Sequence, residues 1–161
     1  MRDELELKLA ERFPFMRWAE DWQVQWENGK IPSVFGCEIG DGWYELMVDL
    51  CTEITAAYER SGAPVDIVVD QVKEKWGGLR FYYHIPDHSG ESSVFSITGM
   101  ESLQDAGGES PLQVEISETV RKYEEMSLSI CEDCGKQGTR RKLGYVCTLC
   151  DECFAKRFTG R

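Results

Sequence analysis

Cysteine is the residue type in this chain whose spacing is most informative about chemistry. Cys131 and Cys134 form one C-x2-C pair, Cys150 and Cys153 form another, and fifteen residues separate the two pairs. Two such pairs can present four thiolates to one zinc ion in a tetrahedron. The sequence therefore predicts a zinc site near the carboxyl end.

The spacing leaves one choice of ligands open, because Cys147 and Cys150 are also two residues apart. We favour Cys150 and Cys153, since they stand at the predicted start of a final helix, where backbone N–H groups can donate to thiolate sulfur. A zinc ion held by four cysteines has no open coordination position, so the predicted zinc is structural. Cys37 and Cys51 are interpreted as buried apolar residues.

The elements predicted around the cysteines are short. Gly135 follows the first pair and can adopt the positive φ of a tight turn. Residues 142–147 are typical of a short strand, and residues 154–158 of a final helical turn or two. This order predicts a zinc ribbon or treble-clef unit over residues 130–161, appended to an acidic body over residues 1–129.

A β-hairpin is the second feature with chemical content. Residues 65–76 and 79–85 are rich in β-branched and aromatic types, and Gly77-Gly78 between them predicts a two-residue turn. In that register Trp76 is opposite Leu79. The predicted inward face consists of Val72, Trp76, Leu79, Phe81, Tyr83 and Ile85.

The opposite face of the predicted hairpin gathers three cations and two rings. Its members are Lys73, Lys75, Arg80, Tyr82 and His84. Such a face suits an anionic, phosphate-bearing small molecule, with Arg80 as a bidentate clamp and Tyr82 available for stacking. The alternative is a solvated face whose cations pair with acidic neighbours.

Charge and composition limit the class of protein. The net charge is −11, and it divides into −14 over residues 1–130 and +3 over residues 131–161. The acidic body should repel a nucleic-acid backbone. No apolar run is long enough to span a membrane and no signal core opens the chain, so we expect a cytoplasmic protein.

Helical periodicity accounts for much of the remaining body. A first helix is predicted to about residue 12, and a second begins at Pro14, with Trp18, Trp22 and Trp26 on one face. A long helix is predicted from an N-cap at Asp41 to about residue 61. The fold class is therefore α+β, with helices packed on a small antiparallel sheet.

The segment between the hairpin and the last body helix is the least regular. Residues 86–110 are predicted to be a long loop with a candidate strand at residues 94–97. A metal shared by His84, Asp87 and His88 is an alternative for this region. Ser110 and Gln113 then have the spacing of a capping box, which predicts a helix to about residue 127.

These motifs together resemble a known pattern. The run from Lys73 to Tyr82, KEKWGGLRFY, followed by the C-x2-C-G and TLCDEC motifs, resembles an uncharacterised family of small phage, prophage and bacterial proteins. The resemblance covers about residues 38–155. It implies the same hairpin and zinc unit, with Cys150 and Cys153 as ligands, and a mobile-element context, but no activity.

Three functions are expected from these features. The first is a non-enzymatic binding protein that sequesters an anionic, nucleotide-like ligand, which in a phage would be a host defence signal. The second is an adaptor or inhibitor of a host protein. The third is nucleic-acid binding through the zinc unit, by way of Arg140, Arg141, Lys142, Lys156 and Arg157. A hydrolase is disfavoured, because the motifs assemble no nucleophile and base.

Overall fold

The computed structural model describes residues 1–17, 36–86 and 110–159. Within these ranges the chain is α+β, as predicted. The helices are α1 (Asp3–Arg12), α2 (Tyr44–Ser61), α3 (Pro111–Ser127) and α4 (Asp151–Thr159). The strands are β1 (Cys37–Glu38), β2 (Val68–Lys75), β3 (Gly78–His84), β4 (Thr139–Leu143) and β5 (Tyr145–Leu149). No helix in the described ranges has the length and apolar character needed to cross a bilayer.

Several predicted features lie outside the described residues. These are the tryptophan stripe of Trp18, Trp22 and Trp26, the candidate strand at residues 94–97, most of the loop over residues 86–110, and the pair Asp87 and His88.

The end of the long helix α2 was predicted correctly, but its start was not. A 3-10 turn, Asp41–Trp43, precedes the helix, which begins at Tyr44. The Asp41 carboxylate accepts the backbone N–H of Arg2 over 2.8 Å and does not cap α2, so its predicted N-cap role is wrong. At the other end, Gly62 takes the left-handed conformation with φ of 71° and ends the helix.

The sheet of the body has three strands in the order β1-β2-β3. Strands β2 and β3 are antiparallel, as predicted, but β1 adds a parallel pairing in which Cys37 lies opposite Val72. The prediction of a purely antiparallel sheet is therefore wrong. A two-residue strand carries too little pattern to be recognised in the sequence, and its partner lies more than thirty residues away.

The hairpin turn lies one residue earlier than predicted. Lys75 pairs with Gly78, so the two turn residues are Trp76 and Gly77, both with positive φ. Lys73 consequently lies opposite Arg80 and not opposite Tyr82. From Gln71 to the turn, each cross-strand partner moves by two residues, which preserves the assignment of side chains to faces.

The inward face of the hairpin matches the prediction except at Trp76. Val72, Leu79 and Phe81 are buried, and Tyr83 and Ile85 pack against the core. Trp76, in contrast, is 63% exposed. Because it occupies the turn, its side chain leaves the sheet and does not reach the core.

Helix α3 covers the free edge of the sheet. The backbone N–H of Leu79 donates to Ser127 Oγ over 2.9 Å, and that of Phe81 donates to a Glu124 carboxylate oxygen over 3.0 Å. These bonds satisfy donors that an edge strand would otherwise present to a second chain. The predicted capping box of Ser110 and Gln113 opens α3 and is confirmed in both of its hydrogen bonds.

The core of the body lies between the sheet, α2 and α3. Its fully buried side chains come from all three, and they include Trp43, Met47, Leu50, Ile54, Tyr58, Val69, Val72, Leu79 and Ile116. The apolar stripe predicted along α2 faces this core. The burial of that stripe stabilises α2 far more than helix propensity alone would.

The C-terminal part is a hairpin of β4 and β5 followed by α4, where the sequence predicted one short strand and one or two helical turns. It is joined to the body by close backbone approaches. The N–H of Gly42 donates to the Glu132 carbonyl over 2.9 Å, and Trp43 Nε1 donates to the Ile130 carbonyl over 2.8 Å. A Cβ on Gly42 would lie 2.2 Å from the Cys131 carbonyl oxygen, so only glycine fits at this contact.

Candidate functional site

The first cysteine pair lies in a tight turn that precedes β4. The N–H of Gly135 donates to the Cys131 carbonyl over 2.9 Å, and the N–H of Cys131 donates to the Lys136 carbonyl over 2.7 Å. Gly135 has a φ of 76°, the left-handed conformation expected from the sequence. The turn directs the thiols of Cys131 and Cys134 to the same side.

The second pair stands at the start of α4. The backbone N–H of Cys153 donates to Cys150 Sγ over 3.4 Å. This bond stabilises the thiolate and lowers the pKa of Cys150 to about 7. Burial and the neighbouring thiols raise the pKa of Cys153, and the pKa of Cys134 is also raised, so easy deprotonation is a property of Cys150 and not of the whole group.

The two pairs meet. The sulfur atoms of Cys131, Cys134, Cys150 and Cys153 all lie within 4.8 Å of one another, and those of Cys134 and Cys150 are 3.7 Å apart. A group of this composition and size could hold one metal ion. Cys147, which is buried on the strand β5, is not among these four thiols.

The other two cysteines differ from this group in their burial within the body core. Cys37 and Cys51 are both buried in the body core. Burial raises the pKa of Cys37 to about 12 and that of Cys51 well above its ordinary value. Both are therefore protonated, inert packing residues, in agreement with the interpretation of the sequence.

Glu132 ties the parts of the C-terminal unit together. Its carboxylate accepts the backbone N–H of Thr148 over 3.3 Å and is ion-paired with Arg157 at 2.6 Å. Glu132 is 4% exposed, and burial raises the pKa of its carboxyl above the ordinary value. Because Glu132 follows Cys131 directly, these bonds fix the first cysteine turn against both β5 and α4.

The five hairpin residues predicted to bind an anion lie on the outer face of the sheet. Lys73 and Arg80 are direct register partners, Gln71 lies opposite Tyr82, and Val68 lies opposite His84. A bulge at Asp70 interrupts the pairing between the last two positions. All five side chains are exposed or half-buried.

The partners of these five residues differ. Lys73 Nζ lies 5.0 Å from the centroid of the Tyr82 ring and donates to Gln71 Oε1 over 2.6 Å. Lys75 Nζ lies 5.0 Å from the centroid of Trp76. Neither ammonium group is ion-paired with a carboxylate in the described part of the chain.

Arg80 and His84, in contrast, have acidic neighbours. Arg80 Nη1 is 3.8 Å from Glu124 and donates to the Leu79 carbonyl over 2.7 Å, and His84 Nδ1 is 2.9 Å from the Asp70 carboxylate. Part of this face thus matches the alternative of a surface paired with acidic neighbours.

The basic residues of the C-terminal unit do not form one continuous patch. Arg141 is paired with Asp151 and lies over the Phe154 ring, and Arg157 is paired with Glu132 and Asp133. Arg140, Lys142 and Lys156 form no ion pair with a carboxylate in the described ranges, although the charge of Lys156 helps to lower the pKa of Glu152.

Trp76 is the residue of this region whose predicted position is wrong. No local signal locates it, because a turn with positive φ at both positions favours Gly-Gly over Trp-Gly.

Comparison of the chain with protein-family models, with curated proteins and with solved structures found no match.

Proposed function

We propose that this chain is a non-enzymatic, zinc-containing binding protein, in which four cysteines hold a structural zinc ion and the hairpin binds an anionic ligand. The observation that carries the metal part is the convergence of four thiols within 4.8 Å. A tetrahedral zinc ion with Zn–S bonds of about 2.3 Å separates its sulfurs by about 3.8 Å. The 3.7 Å between the sulfurs of Cys134 and Cys150 supports this assignment.

The order of elements supports the treble-clef form of the unit. A zinc ribbon takes its second cysteine pair from a second hairpin turn, whereas a treble clef takes it from the first turn of a helix. Cys150 and Cys153 stand at the start of α4, after the β4-β5 hairpin. An iron–sulfur cluster places several atoms between its cysteines and would hold the sulfurs farther apart, so zinc fits this group better.

Metal analysis of two cysteine variants tests the zinc assignment. Purified protein should contain about one zinc ion per chain by elemental mass spectrometry. Cys153→Ser should lose this ion, and the matched Cys147→Ser variant should retain it. Loss of the ion by Cys147→Ser would mean that the alternative set, which includes Cys147, holds the metal.

The outer face of the hairpin supports an anionic ligand through its unbalanced charge. Lys73 and Lys75 contact aromatic rings in a body that carries a net charge of −14 over residues 1–130. Lys73 also lies directly opposite Arg80, and like charges at such positions destabilise a hairpin. A bound phosphate group would remove that repulsion.

Ligand-induced stabilisation tests the binding part of the proposal. A panel of nucleotides and inorganic tripolyphosphate should raise the melting temperature of the zinc-loaded protein. Arg80→Ala should abolish the increase, whereas Arg60→Ala, which removes an exposed arginine paired with Glu115 on another face, should leave it unchanged. If no member of the panel stabilises the wild type, the hairpin is not an anion site.

That negative result would favour the second function, an adaptor for a host protein. The role of the ligand as a host defence signal is a further step, supported by the resemblance to phage and prophage proteins alone.

A further inference from the structure

The turn of the hairpin places a large side chain in an unfavourable backbone conformation. Trp76 has a φ of 55°, and it is the one non-glycine residue with positive φ in the described ranges. Left-handed backbone is easy for glycine and unfavourable for bulky residues. Burial does not compensate, because the Trp76 side chain is 63% exposed. Hairpin formation alone therefore gives no reason for tryptophan at this position.

The turn is nevertheless fixed by contacts on several sides. Arg140 Nε donates to the Trp76 carbonyl over 2.8 Å, and Thr148 Oγ1 donates to the Gly77 carbonyl over 2.6 Å. The Gly77 N–H donates to the Glu74 carboxylate. A strained conformation persists when its surroundings over-determine it, and such positions concentrate at functional sites.

Two of these contacts come from the C-terminal unit, since Arg140 lies on β4 and Thr148 on β5. The C-terminal unit therefore fixes the backbone from which the indole projects at the protein surface. A backbone that is already fixed loses little entropy when a ligand binds beside it.

The charges around the indole indicate what it could bind. Lys75 Nζ lies 5.0 Å from the ring centroid, and Arg140 is exposed beside the turn. Neither cation is ion-paired with a carboxylate among the residues that the structure describes. An exposed aromatic ring beside free cations suits a ligand that combines a flat aromatic group with phosphate.

We propose that Trp76 is the stacking platform for the base of a free nucleotide, whose phosphates contact Lys75 and Arg140. This inference rests on the proposed anion-binding role of the hairpin and names the ligand class as a nucleotide. A longer nucleic acid is disfavoured, since the acidic body, with its net charge of −14, would repel the additional phosphates.

Binding of three probes to the full-length, zinc-loaded protein tests the inference. The probes are ATP, inorganic tripolyphosphate and a twelve-nucleotide oligothymidylate, and the readouts are calorimetry and tryptophan fluorescence. Because stacking on an aromatic ring tolerates any base, ATP suffices as the nucleotide. ATP should bind about tenfold more tightly than tripolyphosphate, with quenching of the fluorescence.

The variant Trp76→Asn removes the ring and keeps the turn, because asparagine favours positive φ in this type of turn. It should bind ATP about tenfold more weakly, at the level of tripolyphosphate, and should leave tripolyphosphate binding and the zinc content unchanged. The matched control is Leu7→Asn, which replaces an exposed apolar side chain far from the turn in sequence, on α1. It should bind ATP as the wild type does.

The outcomes separate this inference from the proposed function. Equal affinity for ATP and tripolyphosphate, or unchanged ATP binding by Trp76→Asn, would overturn the role of Trp76 and leave the anion site in place. Tighter binding of the oligothymidylate than of ATP, with a steep salt dependence, would replace the free nucleotide by single-stranded nucleic acid. Absence of binding by all three probes would overturn both proposals.

Discussion

The body and the C-terminal unit are stabilised by different means. The body packs a continuous set of apolar side chains from α1, α2, α3 and the three-stranded sheet. In the C-terminal unit the buried apolar cluster consists of Cys131, Cys147 and Leu149, with Cys150, Cys153 and Phe154 packed beside them. A segment of about thirty residues cannot bury enough apolar surface to fold alone, and a metal ion is a common substitute.

The four cysteines that could hold a metal ion lie outside the apolar core of the body. Hydrophobic burial accumulates with the number of side chains, whereas a metal ion concentrates its contribution in four bonds. The two regions meet through hydrogen bonds at Gly42, Trp43 and the Trp76–Gly77 turn. Stability should therefore respond differently to metal removal and to core mutation.

Metal removal has the largest expected effect, and it should act on the C-terminal unit. Structural zinc contributes on the order of 10–16 kcal/mol to the folding of small zinc units. A strong chelator should therefore abolish amide protection over residues 131–159 and weaken it in the Trp76–Gly77 turn. Protection in α2 should persist. Hydrogen exchange with mass spectrometry provides the measurement, and a uniform loss of protection along the chain would show that the regions fold as one unit.

Leu50→Ala should destabilise the body and leave the C-terminal unit intact. Leu50 is fully buried at the centre of α2, and truncation of such a side chain leaves a cavity. We expect a loss of about 2–5 kcal/mol in the free energy of unfolding, measured by urea titration, with unchanged zinc content. Leu7→Ala, at an exposed position of α1, should stay within about 0.5 kcal/mol of the wild type.

Glu124→Gln should have the smallest effect, on the edge between the sheet and α3. Burial raises the pKa of Glu124, although it accepts the Phe81 N–H and lies near Arg80. The folded protein therefore retains a proton that the unfolded chain releases, and this stabilisation is lost as pH rises through the raised pKa. Because glutamine does not titrate, Glu124→Gln should not show this loss of stability with rising pH.

The expected change is smaller than the effects of metal removal and of Leu50→Ala. It would be measured as a smaller decrease, or a larger increase, of the unfolding free energy with rising pH over the weakly acidic range than in the wild type. Glu125→Gln, an exposed neighbour on α3, provides the control. A larger decrease with rising pH in Glu124→Gln than in the wild type would contradict the assigned direction of the shift.

Local patterns in the sequence were enough to locate most of the described elements. The period of apolar residues fixed the extent of α2, and the spacing of Ser110 and Gln113 fixed the start of α3. These features depend on residues a few positions apart, whose interactions are nearly the same in any fold. The cysteine spacing likewise limited the possible metal ligands to two sets.

Other features depend on contacts between distant parts of the chain. The parallel pairing of β1 with β2, the hydrogen bonds from β3 to α3, and the convergence of four thiols without that of Cys147 are of this kind. The turn at Trp76 and Gly77 belongs with them. Local rules favour Gly-Gly over Trp-Gly, and the contacts of Arg140 and Thr148 with the carbonyls of Trp76 and Gly77 accompany the turn that forms.

The sequence by itself thus determined the extended helices, the β2-β3 hairpin and the residues that are chemically able to bind a metal or an anion. The tertiary structure decided which four sulfurs lie together and which ring reaches the surface. The physical reason is that distances between side chains far apart in sequence are set by packing, whereas periodicity and turn preferences depend only on residues a few positions apart.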